Sequence, residues 1–130
     1  MKQITIVSPN QPEVMSLITE LLTENQIDIR HFDSYVAGDD LFIKLLVDDY
    51  DRGLSVLTAA NYQAIPEETV LVRVEDKPGA LAQIARKMTD QRINVRSVTL
   101  VHQGQQYWSV AISSDCNDRV REIFKDVLVN

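Results

Sequence analysis

Cysteine is almost absent from this chain. Cys116 is the one such residue in 130, so no internal disulfide can form, and the usage predicts a reducing, cytoplasmic setting. Glycine is scarce, with four residues and no glycine-rich phosphate loop among them. Only two histidines, His31 and His102, are available as bases. No spacing of His, Cys and carboxylates resembles a metal site. Cys116 opens a predicted helix. It lacks any local nucleophile–base signature, so the small-filler reading outweighs a catalytic one. No apolar run reaches membrane-spanning length. The first residues, Met1 to Ile6, alternate like a strand and carry no signal-peptide core.

Basic charge is also in deficit. Thirteen Lys and Arg face nineteen Asp and Glu, for a net charge of −6. Arg30, Arg86, Lys87, Arg92 and Arg96 are the nearest thing to a basic cluster, and they read as solvated faces. Phosphate tracking needs clustered cations, so nucleic acid is not an expected partner. Aromatics make up 6%, and Tyr107 and Trp108 alternate on one strand, which gives no base-stacking platform. Asp39-Asp40 and Asp48 to Asp51 are acidic, yet they read as a turn and a helix start, where carboxylates are favoured.

What the chain does have is a repeat. At an offset of 66 residues, Pro12 falls on Pro78, Ile18 on Ile84, Ile27 on Ile93, Arg30 on Arg96, Gly38 on Gly104 and Asp49 on Asp115. The matches predict two modules, 1–65 and 66–130, joined by the short linker Pro66-Glu67-Glu68. Modules this small bury little surface alone, so the halves are expected to pack on each other and on a second chain.

In the second half, Val70 to Val74 alternates as a strand. Asp76-Lys77-Pro78-Gly79 breaks it, with Asp76 the predicted N-cap and Pro78 in the first helical turn. Leu81, Ile84, Ala85 and Met88 then mark one helix face. Ile93 to Val101 is a second strand, Gln103-Gly104-Gln105 a turn in which Gly104 is free to take positive φ, and Tyr107 to Ile112 a third strand. Ser114-Asp115 caps a helix bearing Val120, Ile123 and Phe124, and Val127 to Val129 is a final strand. The first half repeats the order: strand Ile4 to Val7, a helix with Met15, Ile18 and Leu22 widened by Val14, Leu17 and Leu21, strands Ile27 to Val36 and Leu41 to Val47, helix Asp49 to Ala60, strand Tyr62 to Ile65. Gly53 weakens that last helix. One strand resists the offset, because Lys44 falls on Val110. A one-residue slip puts Ile43, Leu45 and Val47 inward and predicts a bulge or shifted register; alternatively, Leu41, Ile43, Leu45 and Val47 face a second buried surface, such as a neighbouring module. The fold class is α+β: two tandem βαββαβ ferredoxin-like modules, antiparallel sheets with both helices on one face.

One constellation suggests chemistry. The segment 76–81 joins a strand to a helix, Gly79 lets a ligand approach the backbone, and the first helical amides suit a carboxylate. Asp76 suits an ammonium. Together they suit a free amino acid. The same residues also read as an ordinary capped helix start, and the residues alone favour that plainer reading.

Here the residues carry a likeness. Val70-Leu71-Val72-Arg73-Val74-Glu75-Asp76-Lys77-Pro78-Gly79-Ala80-Leu81, followed by Ile93-Asn94-Val95, resembles the ACT domain, a small-molecule-sensing module of amino-acid metabolism. The whole chain resembles a stand-alone tandem ACT protein. The first half departs at its loop, Pro9-Asn10-Gln11-Pro12-Glu13, which has no glycine. The resemblance implies modules paired through second strands and adjacent helices, with an amino-acid effector at the interface and no cofactor. It implies one site from Asp76, Lys77, Gly79, Ala80 and Leu81 with Asp28 and Ile29, and another from Asn10, Gln11 and Pro12 with Asn94 and Val95. The first is favoured for its glycine. The expected protein is a non-catalytic regulatory homodimer acting on an enzyme. A docking subunit that binds no ligand is the alternative, and a small enzyme is the weakest reading. Gly79→Val is expected to block the loop while leaving the fold largely intact.

Overall fold

A computed structural model describes residues 1–130. They form two compact units, Met1–Glu67 and Glu68–Asn130. The first contains β1 (Ile4–Pro9), α1 (Val14–Glu24), β2 (Ile29–Ala37), β3 (Asp40–Val47), α2 (Tyr50–Ala59) and β4 (Gln63–Ile65). The second contains β5 (Val70–Glu75), α3 (Ala80–Asp90), β6 (Val95–Gln103), β7 (Tyr107–Ser114) and α4 (Asn117–Ile123).

In the first unit the sheet order is β2-β3-β1-β4, and every neighbouring pair is antiparallel. Ile6 lies opposite Ile43 and Ile4 opposite Leu45, so these side chains share a face. Val14, Ile18 and Leu22 of α1 and Leu57 of α2 close over that face in one buried cluster. Each such side chain contributes about 1.5–3 kcal/mol on burial. The second unit repeats the arrangement. Val70 and Val72 pair with Ile112 and Val110, and Ile84 and Met88 of α3 and Val120 of α4 cover them. Both units are thus α+β with helices on one face of an antiparallel sheet, the ferredoxin-like arrangement.

The resistant strand has a simple explanation. β1, α1 and β2 match β5, α3 and β6 at an offset of 66, but β3 and β7 differ by 67 at both ends. The turn Gly38-Asp39 is replaced by the three residues 104–106, and pairing slips again between Leu100 and His102. Leu41, Ile43, Leu45 and Val47 are therefore buried under the helices. The slip carries into the last helix, so Asp49, the N-cap of α2, matches Cys116, the N-cap of α4, rather than leaving Asp49 on Asp115.

Several expected details differ. The predicted strand Val127 to Val129 is reduced to one bridge, Val72 with Leu128, and the second sheet has three strands, β5-β7-β6. The tail still lies along β5. Val127 O accepts from Arg73 N at 2.9 Å and Val129 N donates to Leu71 O at 2.8 Å. Beyond them the Asn130 side-chain amide takes the place of a peptide unit. Its Oδ1 accepts from Leu71 N and its Nδ2 donates to Thr69 O, both at 2.7 Å. The second strands begin at Ile29 and Val95, two residues later than predicted, because the preceding residues complete helix C-caps. The N–H groups of Gln26 and Ile27 bond Thr23 O and Leu22 O, and those of Arg92 and Ile93 bond Thr89 O and Met88 O. These are Schellman closures with Gln26 (φ 58°) and Arg92 (φ 55°) where glycine is usual. The buried faces of α1 and α3 also rotate from the predicted ones. Val14, Ile18, Leu22 and Ala80, Ile84, Met88 point inward, while Met15, Leu17 and Leu81 are exposed. Gly104 does not adopt positive φ; its N–H donates to Tyr107 O.

Gly53 is not merely a weak spot in α2. A Cβ there would lie 2.9 Å from Val47 Cγ2 and 3.6 Å from Ile4 Cδ1. Val47 is buried and β-branched, so it yields little. Gly53→Ala should therefore lower the urea midpoint, because overpacking of about 1–3 kcal/mol outweighs the roughly 1 kcal/mol gain in helix propensity. A raised midpoint would mean that α2 shifts outward freely. Asn130→Ala should cost about 1–2 kcal/mol and speed hydrogen exchange of the Leu71 amide; unchanged exchange would show that water replaces the side chain without loss.

Candidate functional site

Between β5 and α3 the chain turns sharply. Asp76 N donates to Gln106 O at 2.9 Å, tying the loop to the β6–β7 hairpin, and Ala80 N donates to Lys77 O at 3.1 Å. The N-cap of α3 is Gly79, in the left-handed region at φ 85°, ψ 3°. Asp76 is therefore not the cap, and Pro78 precedes the helix rather than entering its first turn. No side chain caps α3. With Ala80 N–H taken by Lys77 O, the N–H groups of Leu81 and Ala82 are the ones the first turn leaves for water or an anionic ligand.

A Cβ built on Gly79 meets nothing within 4 Å. Gly79 itself lines a shallow open cleft of about 500 Å³, together with the rest of residues 76–82 and Trp108. The five expected residues of this segment, Asp76, Lys77, Gly79, Ala80 and Leu81, thus share one cleft. Asp76 is exposed. Lys77 Nζ lies 3.9 Å from Glu75, with both side chains more than half exposed, so that pair contributes little. The positive φ corrects one expectation. Valine at 79 places a β-branched residue where L side chains are strained, so Gly79→Val perturbs the fold as well as the cleft.

Trp108 is the site residue that strand alternation alone did not reveal. Its signal was pairing: β7 runs antiparallel to β5, with Val74 opposite Trp108 and Glu75 opposite Tyr107. Trp108 therefore sits beside the end of β5, on the face that carries α3. Its ring packs partly against the core of the second unit.

The other expected residues lie elsewhere. Asp28 and Ile29 are at the start of β2. Asp28 exchanges bonds with Asp48: its N–H donates to Asp48 Oδ1 at 3.0 Å and its carbonyl accepts from Asp48 N at 3.0 Å. Arg30 Nε lies 3.4 Å from its carboxylate. Asn94 and Val95 form the equivalent start of β6, where Asn94 O accepts from Asp115 N at 3.3 Å. The 11 residues of α3, about 16 Å of helix, separate this point from Gly79, so within the second unit the two lie at opposite helix ends. A guanidinium steadies each strand start. Arg52 Nη2 donates to Asn25 O at 2.9 Å and Arg119 Nη2 to Gln91 O at 2.8 Å, in each case the C-cap carbonyl just upstream. Asn10 and Gln11 lie in the first unit's loop, where Asn10 N donates to Asp39 O at 2.9 Å and Gln11 O accepts from Val14 N at 3.3 Å. There the residue at the helix start is Glu13, right-handed at φ −82°, in place of left-handed Gly79.

Elsewhere, Cys116 is exposed at the N-cap of α4. Ser114 Oγ, rather than a capping Ser114-Asp115 pair, accepts from Cys116 N at 3.1 Å. No cluster of three or more His, Cys, Asp and Glu is placed to hold a metal ion. No helix is long and apolar enough to cross a membrane.

Among solved structures, a protein from Bacteroides thetaiotaomicron is 19% identical, with 98% of this chain and 90% of that one covered and a TM-score of 0.50. The regulatory subunit of aspartate kinase from Thermus thermophilus is 17% identical over 97% and 91% of the two chains, TM-score 0.45. A protein of unknown role from Galdieria sulphuraria is 11% identical over 96% and 89%, TM-score 0.45. No curated protein matches the chain. A family model does: residues 69–122 match the ACT domain. The chain thus carries one ACT domain match, in its second unit, and that stretch contains the β5–α3 loop, the cleft and Trp108.

Proposed function

We propose that this chain is a non-catalytic regulatory protein that binds an amino acid or a related small metabolite at the β5–α3 loop. The observation that carries the reading is the open left-handed turn at Gly79, inside the stretch that matches the ACT domain. A zwitterion suits it. Its carboxylate would meet the uncapped first turn of α3, and its ammonium would meet Asp76. Asp28 and Ile29 are proposed to contribute from a second-strand start, in line with the ACT likeness. By the same likeness, the first unit is read as a second ACT-type module, the protein as a homodimer, and the target of its regulation as a metabolic enzyme.

A second reading has its own observation. The first unit's loop holds Pro9, Pro12 and a right-handed Glu13 where the second has Gly79. That loop, with Asn10 and Gln11 facing Asn94 and Val95 in the expected pairing, fits a module that docks without a ligand.

A thermal-shift screen against the standard amino acids tests the first reading. A ligand at a hundred times its Kd stabilises by about 2.7 kcal/mol, a shift of several degrees for a unit of this size. A selective shift supports binding, whereas silence across the panel favours the docking subunit. Gly79→Ala should cost about 1–2 kcal/mol through its left-handed φ and abolish the shift. Asp28→Asn should weaken it. Full binding by Gly79→Ala would place the ligand elsewhere.

A further inference from the structure

We infer that the cleft at the start of α3 selects amino acids with apolar side chains, and that Trp108 sets this preference. The inference rests on the binding proposed above and goes on to name its class of ligand. Asp76 and the uncapped first turn of α3 answer the ammonium and carboxylate that every amino acid carries. Once those are engaged, the rest of the lining is the apolar Trp108, Leu81, Pro78 and Ala82, together with Lys77, whose ammonium lies 3.9 Å from Glu75. Leu81 is 38% exposed, so its apolar surface is available without rearrangement. The indole N–H is a donor only, and the aliphatic wall offers no acceptor. Against this wall an apolar side chain gains by leaving water, whereas serine or lysine finds no acceptor for its O–H or N–H groups, and aspartate finds only the indole N–H and Lys77, which already faces Glu75.

The contrast between units supports a dedicated wall. With the offset of 67 that relates β3 to β7, Trp108 corresponds to Leu41, which is buried in the first core. Trp108 is only half-buried and reaches the cleft. Leu81 and Ala82 correspond to Met15 and Ser16, and Gly79 to Glu13. Aromatic wall and permissive turn therefore occur together in the second unit and are both missing from the first. A common structural need of the fold would have put similar residues in both.

The chain has a single tryptophan, so its intrinsic fluorescence reports on this cleft. The test is a titration of the full chain with leucine, methionine and phenylalanine against serine, aspartate and lysine, followed by both calorimetry and tryptophan emission. Apolar ligands should bind at least about tenfold tighter and change the emission. Trp108→Leu, the residue of the first unit, should lose about tenfold for the apolar ligands, and Trp108→Phe should keep most of the preference. Leu81→Ser changes an exposed position and should weaken the same ligands in a chain that melts normally. This second variant decides the matter if Trp108→Leu folds poorly. If polar and apolar amino acids bind equally, or the variants leave the preference intact, the selection is overturned while amino-acid binding stands. If calorimetry detects no amino acid at all, binding itself falls, and the selection with it.

Discussion

The placement of α3 over the second sheet is the constraint on which the rest depends. Ile84 and Met88 pack with Val72, Val110 and Ile112 in one core, and Ala80 is buried on the same face of the helix. That packing puts the first turn of α3 at the end of β5, where Trp108 is already held by pairing with Val74. The link from Glu75 to Ala80 must then reverse direction within a few residues. A left-handed residue makes the turn, and Gly79 takes it at low cost. Helix start and open backbone follow from one helix-on-sheet contact, and the aromatic wall from the pairing of β7 with β5 beside it.

The two units apply the same physics to different ends. Helix closures and strand starts are shared in detail: Gln26 and Arg92 both take the left-handed position after a helix, and Arg52 and Arg119 both hold the preceding C-cap carbonyl. The units diverge where a ligand would approach. Glu13 against Gly79 changes the turn, and Leu41 against Trp108 changes the wall. Shared scaffolding with divergent loops is expected when packing constrains the core and the loop is free to specialise.

Much of the layout was legible in the sequence, because alternating strands and helical stripes leave periodic marks. Ile4 and Ile6, Ile18 and Leu22, Ile84 and Met88 all fall inward as their spacing predicts. The failures share a cause: they depend on partners distant in sequence. Lys44 marked the slip in β3, but locating the extra residue took the hairpin tip at 104–106. Leu81 and Met15 fit the apolar stripes by spacing, yet the sheet covers only part of a helix. Val127 to Val129 has strand composition, and only one bridge to Val72 forms there. Asp76 looked like a cap because it precedes a helix; the turn at Gly79 moves it out of reach. Trp108 became a site residue only through the register of β5 and β7.

The most direct test of the central claim is hydrogen exchange, read peptide by peptide, with and without a mixture of the standard amino acids. The account predicts added protection over residues 76–82 and around Trp108, with the first unit's loop at 10–16 unchanged. Equal protection in both loops, or protection at 10–16 alone, would contradict it.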